Sequence, residues 1–132
     1  MSRENVEVID RLVEAWNRRD VDACIQYFDA EAEVVFPPEV PEPGPFVGHE
    51  EIRQWMEGFL VAWEEHQVSV EEFLEEGESV VAVLHLQGRG RDSGLETDET
   101  DAHVFTFRAS KVVSWRNYPA REAALEAVRL RE

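Results

Sequence analysis

In the first half of the chain, apolar residues recur every three or four positions, which is the spacing of one face of an α-helix. This pattern predicts a first helix after Ser2 that breaks at 17–20, a short second helix over 20–28 and a third over 50–65. Asp20 is placed to cap the second helix, because its carboxylate can accept hydrogen bonds from the first backbone N–H groups. The broad apolar face of the third helix contains Ile52, Trp55, Met56, Phe59, Leu60 and Trp63.

The second half of the chain alternates between apolar and polar residues, which is the period of a β-strand. Strands are predicted over 32–36, 68–77 and 79–91, and a hairpin of two strands over 103–118. Residues 37–46 hold five of the six prolines. Proline lacks a backbone N–H and fixes φ, so this segment is predicted to be a stiff loop.

The order of the predicted elements indicates the fold class. Residues 91–101 are highly charged and predict a loop or a strand edge, and a short amphipathic helix over 120–130 follows Pro119. Helices flank a run of strands instead of alternating with them, so we expect an α+β fold with a curved antiparallel sheet around the three N-terminal helices. A length of 132 residues favours one domain over 1–132. The concave face of such a sheet must be filled by side chains or by a ligand.

The hairpin carries polar side chains on a face that should be buried. Alternation groups His103, Phe105 and Phe107 on one face of the first strand, and Val113, Trp115 and Asn117 on one face of the second. Val112 falls on the opposite face of that second strand. A histidine and an asparagine in this position are typical either of a polar group in a ligand cavity or of ordinary core packing with satisfied polar atoms.

The charge and composition of the chain argue against several classes of binding partner. The net charge of -16 repels nucleic acid and anionic lipid, so we expect the chain to bind neither. No apolar run reaches the length of a transmembrane helix and the N-terminus lacks an apolar leader region, so we expect no membrane association and a cytoplasmic location. Cys24 is the only cysteine and cannot form an intramolecular disulfide.

The histidines do not show the spacing of a metal site. The four are His49, His66, His85 and His103. No two of them are separated by three or four residues, so we expect no metal and no cofactor. His66 is predicted to end the third helix, where the helix dipole favours it. His85 shares a strand face with Val81 and Val83, and a structural role or a position at a dimer surface is expected there.

Three segments of the chain together resemble a known family. AWNRRDVDACIQYFDAEAEVVF, FVGHEEIRQWMEGF and HVFTFRASKVVSWRNY are similar to the SnoaL-like branch of the nuclear transport factor 2-like superfamily and occur in its order. The similarity covers nearly the whole chain. It implies a cone made by a curved sheet around a deep, mostly apolar pocket, and a homodimer formed through the outer sheet face.

The resemblance does not by itself assign an activity, because this superfamily includes enzymes and proteins that only bind. At the position of the ketosteroid isomerase general base this chain has Phe36, and at the position of its oxyanion tyrosine it has Leu12. Neither side chain can move a proton or donate a hydrogen bond. The second oxyanion donor falls at His103. Steroid isomerisation is therefore not expected, and whether the chain is an enzyme stays open.

Polyketide cyclases of the superfamily use a histidine and an aspartate, which makes His103 and Asp101 the candidate catalytic residues. The two side chains share a strand face. Asp101 either contacts His103 and raises its pKa or lies solvated at the open end of the strand. Asn117 can orient a ligand through its amide. The Asp-Arg-Asp arrangement of limonene epoxide hydrolase is not reproduced, since Asp101 and Arg116 do not have its spacing.

Five aromatic residues are predicted to surround the cavity: Trp16, Phe36, Trp55, Phe59 and Trp115. Simple core filling is the alternative for them. The function expected first is binding of a small, largely apolar organic molecule, with the proline-rich loop over 37–46 as a cover. One alternative is a cyclase, isomerase or hydrolase acting on a polyketide-, terpene- or aromatic-like substrate. Another is a structural homodimer with a filled interior.

Overall fold

Four helices and six strands are present in residues 2–131, the part of the chain that this computed structural model describes. In chain order they are α1 (Ser2–Asn17), α2 (Val21–Ile25), β1 (Phe28–Val35), β2 (Phe46–Val47), α3 (Gly48–Ala62), β3 (Trp63–Glu76), β4 (Ser79–Gly90), β5 (Glu96–Arg108), β6 (Lys111–Tyr118) and α4 (Arg121–Arg131). The predicted α+β class is confirmed.

The strands form one curved sheet in the order β2-β1-β6-β5-β4-β3. Neighbouring strands are antiparallel except β1 and β6, which are parallel. The sheet is therefore mixed, whereas the sequence pattern predicted an antiparallel one. Alternation specifies which side chains share a face but not the direction of the neighbouring strand, so the parallel pair was not predictable from it.

The two faces of the sheet bury different elements. On the face that we call the inner face, Val80, Ala82 and Leu84 of β4 join the main core with α1 and α3. On the outer face, Val81 packs in a second apolar cluster with α4. The other buried members of that cluster are Ala102, Val104, Ala124, Leu125 and Val128. His85 lies on the outer face, where its Nε2 is 2.6 Å from Asp98 Oδ1.

The second helix is shorter than the predicted segment 20–28 because strand pairing begins early. Asp20 caps it as expected, and its side chain accepts a hydrogen bond of 3.1 Å from the backbone N–H of Ala23. The helix ends at Ile25. The carbonyl of Tyr27 already accepts from the backbone N–H of Val112, at 2.9 Å. The first strand consequently begins at Phe28 rather than at residue 32.

The third helix ends at Ala62, so the predicted end at residue 65 was wrong. Trp63 has extended dihedrals and pairs with Gly90, which makes it the first residue of β3. Two arginines bind the carbonyls that the helix end leaves free. Arg19 donates to the carbonyls of Leu60 and Trp63, and Arg91 donates to that of Val61.

The hairpin of β5 and β6 confirms the predicted strands but corrects one face assignment. Its turn is made by Ala109 and Ser110, both with positive φ. The register moves from Thr106 opposite Ser114 to Phe107 opposite Val112, so Val113 is left out of the pairing. This irregularity turns Val112, and not Val113, into the core, where it is fully buried.

The strand β5 begins at Glu96, so its first residues lie inside the predicted loop 91–101.

Candidate functional site

Three polar residues meet on the inner face of β5 and β6, and we call them the polar corner: Asp101, His103 and Asn117. His103 is paired with Asn117 across the two strands, and the next pair on the same face joins Phe105 to Trp115. Asp101 precedes His103 by two residues and therefore points to the same face. The alternation read from the sequence thus placed all three side chains together.

His103 is buried and hydrogen bonded on one side of its ring. The indole Nε1–H of Trp115 donates to His103 Nδ1 at 2.8 Å. The residue is 4% exposed, and burial lowers the pKa of its imidazole to about 3. Removal from water disfavours the charged form, so His103 is neutral at neutral pH.

Asp101 lies close to His103 without a direct hydrogen bond to it. Its Oδ2 is 4.0 Å from His103 Nε2, and its side chain is one third exposed. Burial, with a smaller contribution from the charge of Glu99, raises the pKa of Asp101. Both sequence alternatives are thus partly met, since Asp101 approaches His103 but remains open to solvent. The pKa of His103 is lowered by burial and not raised by this carboxylate.

Two atoms of the polar corner lack a partner in the described chain. His103 Nε2 and Asn117 Oδ1 are buried and make no hydrogen bond with any of residues 2–131. Arg116 Nε is in the same state, but alternation directs Arg116 to the outer face, where the guanidinium contacts Glu33. Buried polar atoms in proteins are nearly always paired, so two unpaired atoms on opposing residues mark this corner as unusual.

The aromatic residues predicted around a cavity contact one another. They form, with two more, an aromatic cluster of Trp16, Phe36, Phe46, Trp55, Phe59, Trp63 and Trp115. Trp55 is central, with ring centroids 4.8 Å from Phe36 and 5.7 Å from Trp115. The inside of the cone is therefore occupied by rings to a greater extent than the sequence led us to expect.

Phe46 is a member of the cluster that the sequence reasoning missed. It ends the proline-rich segment, and its ring lies 6.1 Å from Trp55 and 6.3 Å from Phe36. The segment is tied back to its own start, because the backbone N–H of Phe36 donates to the carbonyl of Pro43 at 2.8 Å. An aromatic residue at the end of a proline-rich loop was the available indication that this loop returns to the core.

A second tryptophan–histidine pair lies within the aromatic cluster. Trp16 Nε1–H donates to His66 Nδ1 at 2.9 Å. His66 is buried on β3, not at a helix end as predicted, and packs against the rings of Phe59 and Trp63. Burial, assisted by the charge of Arg19, lowers its pKa to about 4.

Exposure indicates where the cluster meets solvent. Trp16 and Trp115 are buried, whereas Phe36, Trp55 and Phe59 are only half-buried. These half-buried rings and Asp101 therefore form the accessible edge of the site. Two clefts of the described surface lie elsewhere. One of about 480 Å³ is lined by α2, α3 and Arg91, and the other lies on α4.

Two further findings concern metal ions and membranes. Within residues 2–131, no group of three or more His, Cys, Asp or Glu side chains is placed to hold a metal ion. Over the same residues, the helices are too short or too polar for one of them to span a lipid bilayer.

Comparison with known families identifies the class of this protein. A family model of the SnoaL-like domain matches residues 9–115, so the chain belongs to the SnoaL-like family. No curated protein sequence matches the chain. The family assignment agrees with the resemblance noted in the three sequence segments.

Solved structures share the fold over nearly the whole chain. A nuclear transport factor 2-like protein of unknown function from Burkholderia pseudomallei is 18% identical, with a TM-score of 0.80 over 95% of this chain and 97% of that one. A protein described as a SnoaL-like polyketide cyclase, from Jannaschia sp. CCS1, is 20% identical, with a TM-score of 0.78 over 96% and 92%. TerC, crystallised with polyporic acid, is 19% identical, with a TM-score of 0.78 over 96% and 98%. These similarities show a shared cone fold.

Proposed function

We propose that the chain binds a small, largely apolar organic molecule at the edge of the cone where the polar corner meets the aromatic cluster. The observation that carries this proposal is the pair of buried, unpartnered atoms, His103 Nε2 and Asn117 Oδ1, beside half-buried rings. Leaving a buried polar atom unpaired costs about 1–3 kcal/mol. A ligand that supplies the missing partners offsets that cost and buries its own apolar surface against the rings.

The ligand approaches past Trp55. This ring is half-buried and contacts Trp16 and Trp115, which lie deeper, as well as Phe36 and Phe46 at the edge. A planar apolar molecule can stack on an exposed ring face of this group or take the place of the Trp55 indole. In either position it lies beside Trp115, whose indole N–H donates to His103 of the polar corner.

Two proteins of related fold were crystallised with small organic molecules. TerC was crystallised with polyporic acid, and a protein with a ketosteroid isomerase-like fold from Catenulispora acidiphila was crystallised with trimethylamine. Their identity to this chain is 19% and 18%. They support a ligand-binding role for the cone without naming the ligand of this chain.

Catalysis is a second candidate, and one observation favours it. The carboxylate of Asp101 lies 4.0 Å from His103 Nε2, and burial raises its pKa. A carboxylate with a raised pKa is a better general base, and a neutral imidazole beside it can stabilise a developing oxyanion. The corresponding reaction class is proton abstraction next to a carbonyl group, as in an isomerase or a cyclase. Asp101 would take the proton and His103 would bind the oxygen.

Binding can be tested by calorimetry with polyporic acid and a panel of neutral bicyclic aromatic ketones. We expect at least one of these compounds to bind in the micromolar to low millimolar range. Trp55→Ala should weaken that binding by about ten-fold or more, because it removes the central ring of the cluster. Leu130→Ala is the matched control, since Leu130 is exposed on α4 and remote from the rings. A panel without any binder, or equal losses in both variants, would contradict the proposal.

We further propose that the chain forms a homodimer and works in the cytoplasm. The family resemblance supports the dimer, although α4 covers Val81, Ala102 and Val104 on the outer sheet face. Light scattering of the purified chain should give about twice the monomer mass of 15.2 kDa. A dimer that binds no compound of the panel would favour the purely structural alternative.

A further inference from the structure

We propose that Trp115 holds His103 in the neutral tautomer protonated at Nε2, and that the site therefore selects neutral ligands carrying a hydrogen-bond-accepting oxygen, such as ketones. The first half of this proposal concerns the free protein. The second half, the ligand class, rests on the proposed binding function.

The tautomer follows from the chemistry of the two rings. An indole nitrogen can only donate a hydrogen bond, and Trp115 Nε1 lies 2.8 Å from His103 Nδ1. Nδ1 must then provide a lone pair, so the single proton of a neutral imidazole is on Nε2. Burial keeps the ring neutral, because it lowers the pKa of His103 to about 3.

The position of the indole is set by packing. Trp115 is paired with Phe105 across the strands, and their rings are stacked with centroids 5.4 Å apart. Phe28 covers another side at 6.1 Å, and Trp55 meets the indole edge to face at 5.7 Å. With these neighbours, the Nε1–H of Trp115 is directed at one atom. Trp115 is thus a positioning residue that acts through His103.

The remaining N–H of His103 defines the ligand chemistry. Nε2–H is buried without a partner in residues 2–131, and the nearest carboxylate oxygen, Asp101 Oδ2, is 4.0 Å away. A ketone oxygen can accept from this N–H. An ammonium group has no lone pair to accept from this N–H, so it leaves Nε2 unpaired even though Asp101 attracts its charge, and a carboxylate would be repelled by Asp101. A hydroxyl elsewhere on the ligand could donate to Asn117 Oδ1, the second unpartnered atom.

The second tryptophan–histidine pair, Trp16 and His66, is an internal control for the effect of an indole N–H on a histidine tautomer. Trp16 donates to His66 Nδ1 at 2.9 Å, so His66 should also be protonated at Nε2. The two histidines lie on different strands, β3 and β5, and the two pairs do not share a hydrogen bond. Removing one indole N–H should therefore change the tautomer of one histidine only.

Histidine-labelled ¹⁵N NMR, with two-bond correlations to the ring protons, tests the tautomer directly. At neutral pH we expect His103 to be protonated at Nε2 only. Trp115→Phe should introduce the Nδ1–H form at His103 and leave His66 unchanged, and Trp16→Phe should do the reverse. A wild-type His103 that is protonated at Nδ1 or charged overturns the proposal without any variant. A folded Trp115→Phe protein with an unchanged tautomer also overturns the role of Trp115.

Calorimetry with three matched probes tests the ligand class. They are α-tetralone, the hydrocarbon tetralin and the cationic amine α-aminotetralin. We expect α-tetralone to bind at least about ten-fold more tightly than the other two, because only it accepts from His103. His103→Phe should remove this preference while tetralin still binds. Equal binding of the three probes overturns the ligand class. If none binds, the proposed function fails, whereas the NMR result on the tautomer stands on its own.

Discussion

Two buried histidines, each accepting a hydrogen bond from a tryptophan, distinguish the interior of this protein. His103 and His66 both keep a neutral imidazole because burial lowers their pKa, to about 3 and about 4. In an unfolded chain both rings would titrate near 6.5. At mildly acidic pH the unfolded chain therefore binds up to two more protons at these histidines than the folded chain does.

Stability should consequently fall as the pH is lowered. Below pH 6.5 the unfolded chain binds protons at His103 and His66, and the folded chain does not until the pH approaches 4 and then 3. The free energy of unfolding should decrease with a slope that approaches about 1.4 kcal/mol per pH unit for each histidine. Urea titrations between pH 7 and 5 measure this slope. In His103→Gln the slope should be smaller by about 1.4 kcal/mol per pH unit, which is the contribution of one proton. An unchanged slope would contradict the buried, neutral state of His103.

The single thiol should be inert in the folded protein. Cys24 is buried, and burial raises its pKa to about 12, with a smaller contribution from Asp20. Only the thiolate reacts with disulfide reagents. Ellman's reagent should therefore react with Cys24 slowly in buffer and at least about a hundred-fold faster in denaturing urea. Similar rates in both conditions would show that α2 opens readily.

Individual elements show where sequence patterns predict structure well and where they do not. Alternation in β4 placed Val81 on the same face as His85, and both lie on the outer face of the sheet. Alternation gave the wrong face for the valines of β6, because an irregularity in the register before Phe107 leaves Val113 unpaired. Val112 therefore lies in the core in place of Val113. Such irregularities depend on the neighbouring strand, and a period of two residues carries no information about them.

The junction between the third helix and β3 was missed for a similar reason. Trp63 continues the apolar spacing of Phe59 and Leu60, so the local pattern favours a helix at this position. Pairing of Trp63 with Gly90 favours the strand, and Arg19 and Arg91 bind the carbonyls of Leu60 and Val61 at the end of the helix. These contacts join distant parts of the chain, and they moved His66 from a predicted helix end to the buried cluster.

One side chain at the end of α1 makes two hydrogen bonds to the backbone of the sheet. Asn17 donates to the carbonyl of Val68 and accepts from its backbone N–H, both at 2.9 Å. Asn17→Ala removes both bonds and leaves two strand groups of β3 unpaired. The free energy of unfolding should fall by about 1–3 kcal/mol. Arg11→Ala on the exposed face of α1 is the control and should stay within about 0.5 kcal/mol of the wild type. Equal effects would show that the Asn17 bonds do not stabilise the helix.

For the molecule as a whole, the sequence predicted the architecture more fully than the site. The cone fold and the SnoaL-like family were readable from segment order, and the shared face of Asp101, His103 and Asn117 from alternation. The hydrogen bond from Trp115 to His103 and the unpartnered Nε2 were not, because they depend on side-chain angles and on packing in three dimensions. The sequence pattern gives the face of the helix or strand on which each aromatic ring lies, but it does not show that the rings contact one another.

The net charge of -16 should make stability depend on salt. Repulsion among the acidic side chains opposes the compact state, and salt screens charges separated by more than about 10 Å at 0.1 M. Raising sodium chloride from low to physiological concentration at neutral pH should therefore increase the free energy of unfolding. The double variant Glu39→Gln and Glu42→Gln should show a smaller increase, since both side chains are exposed. A decrease with salt would mean that exposed ion pairs outweigh the repulsion.

The location of a bound ligand can be read from the indole N–H signals of the four tryptophans, assigned by Trp→Phe variants. With α-tetralone near saturation, a site at the polar corner predicts large shifts for Trp55 and Trp115 and a small one for Trp63, whose ring contacts Phe59 and His66 instead. Unmoved signals of Trp55 and Trp115, with changes confined to Trp63 or to the amides of α4, would place the ligand elsewhere and contradict the proposed site.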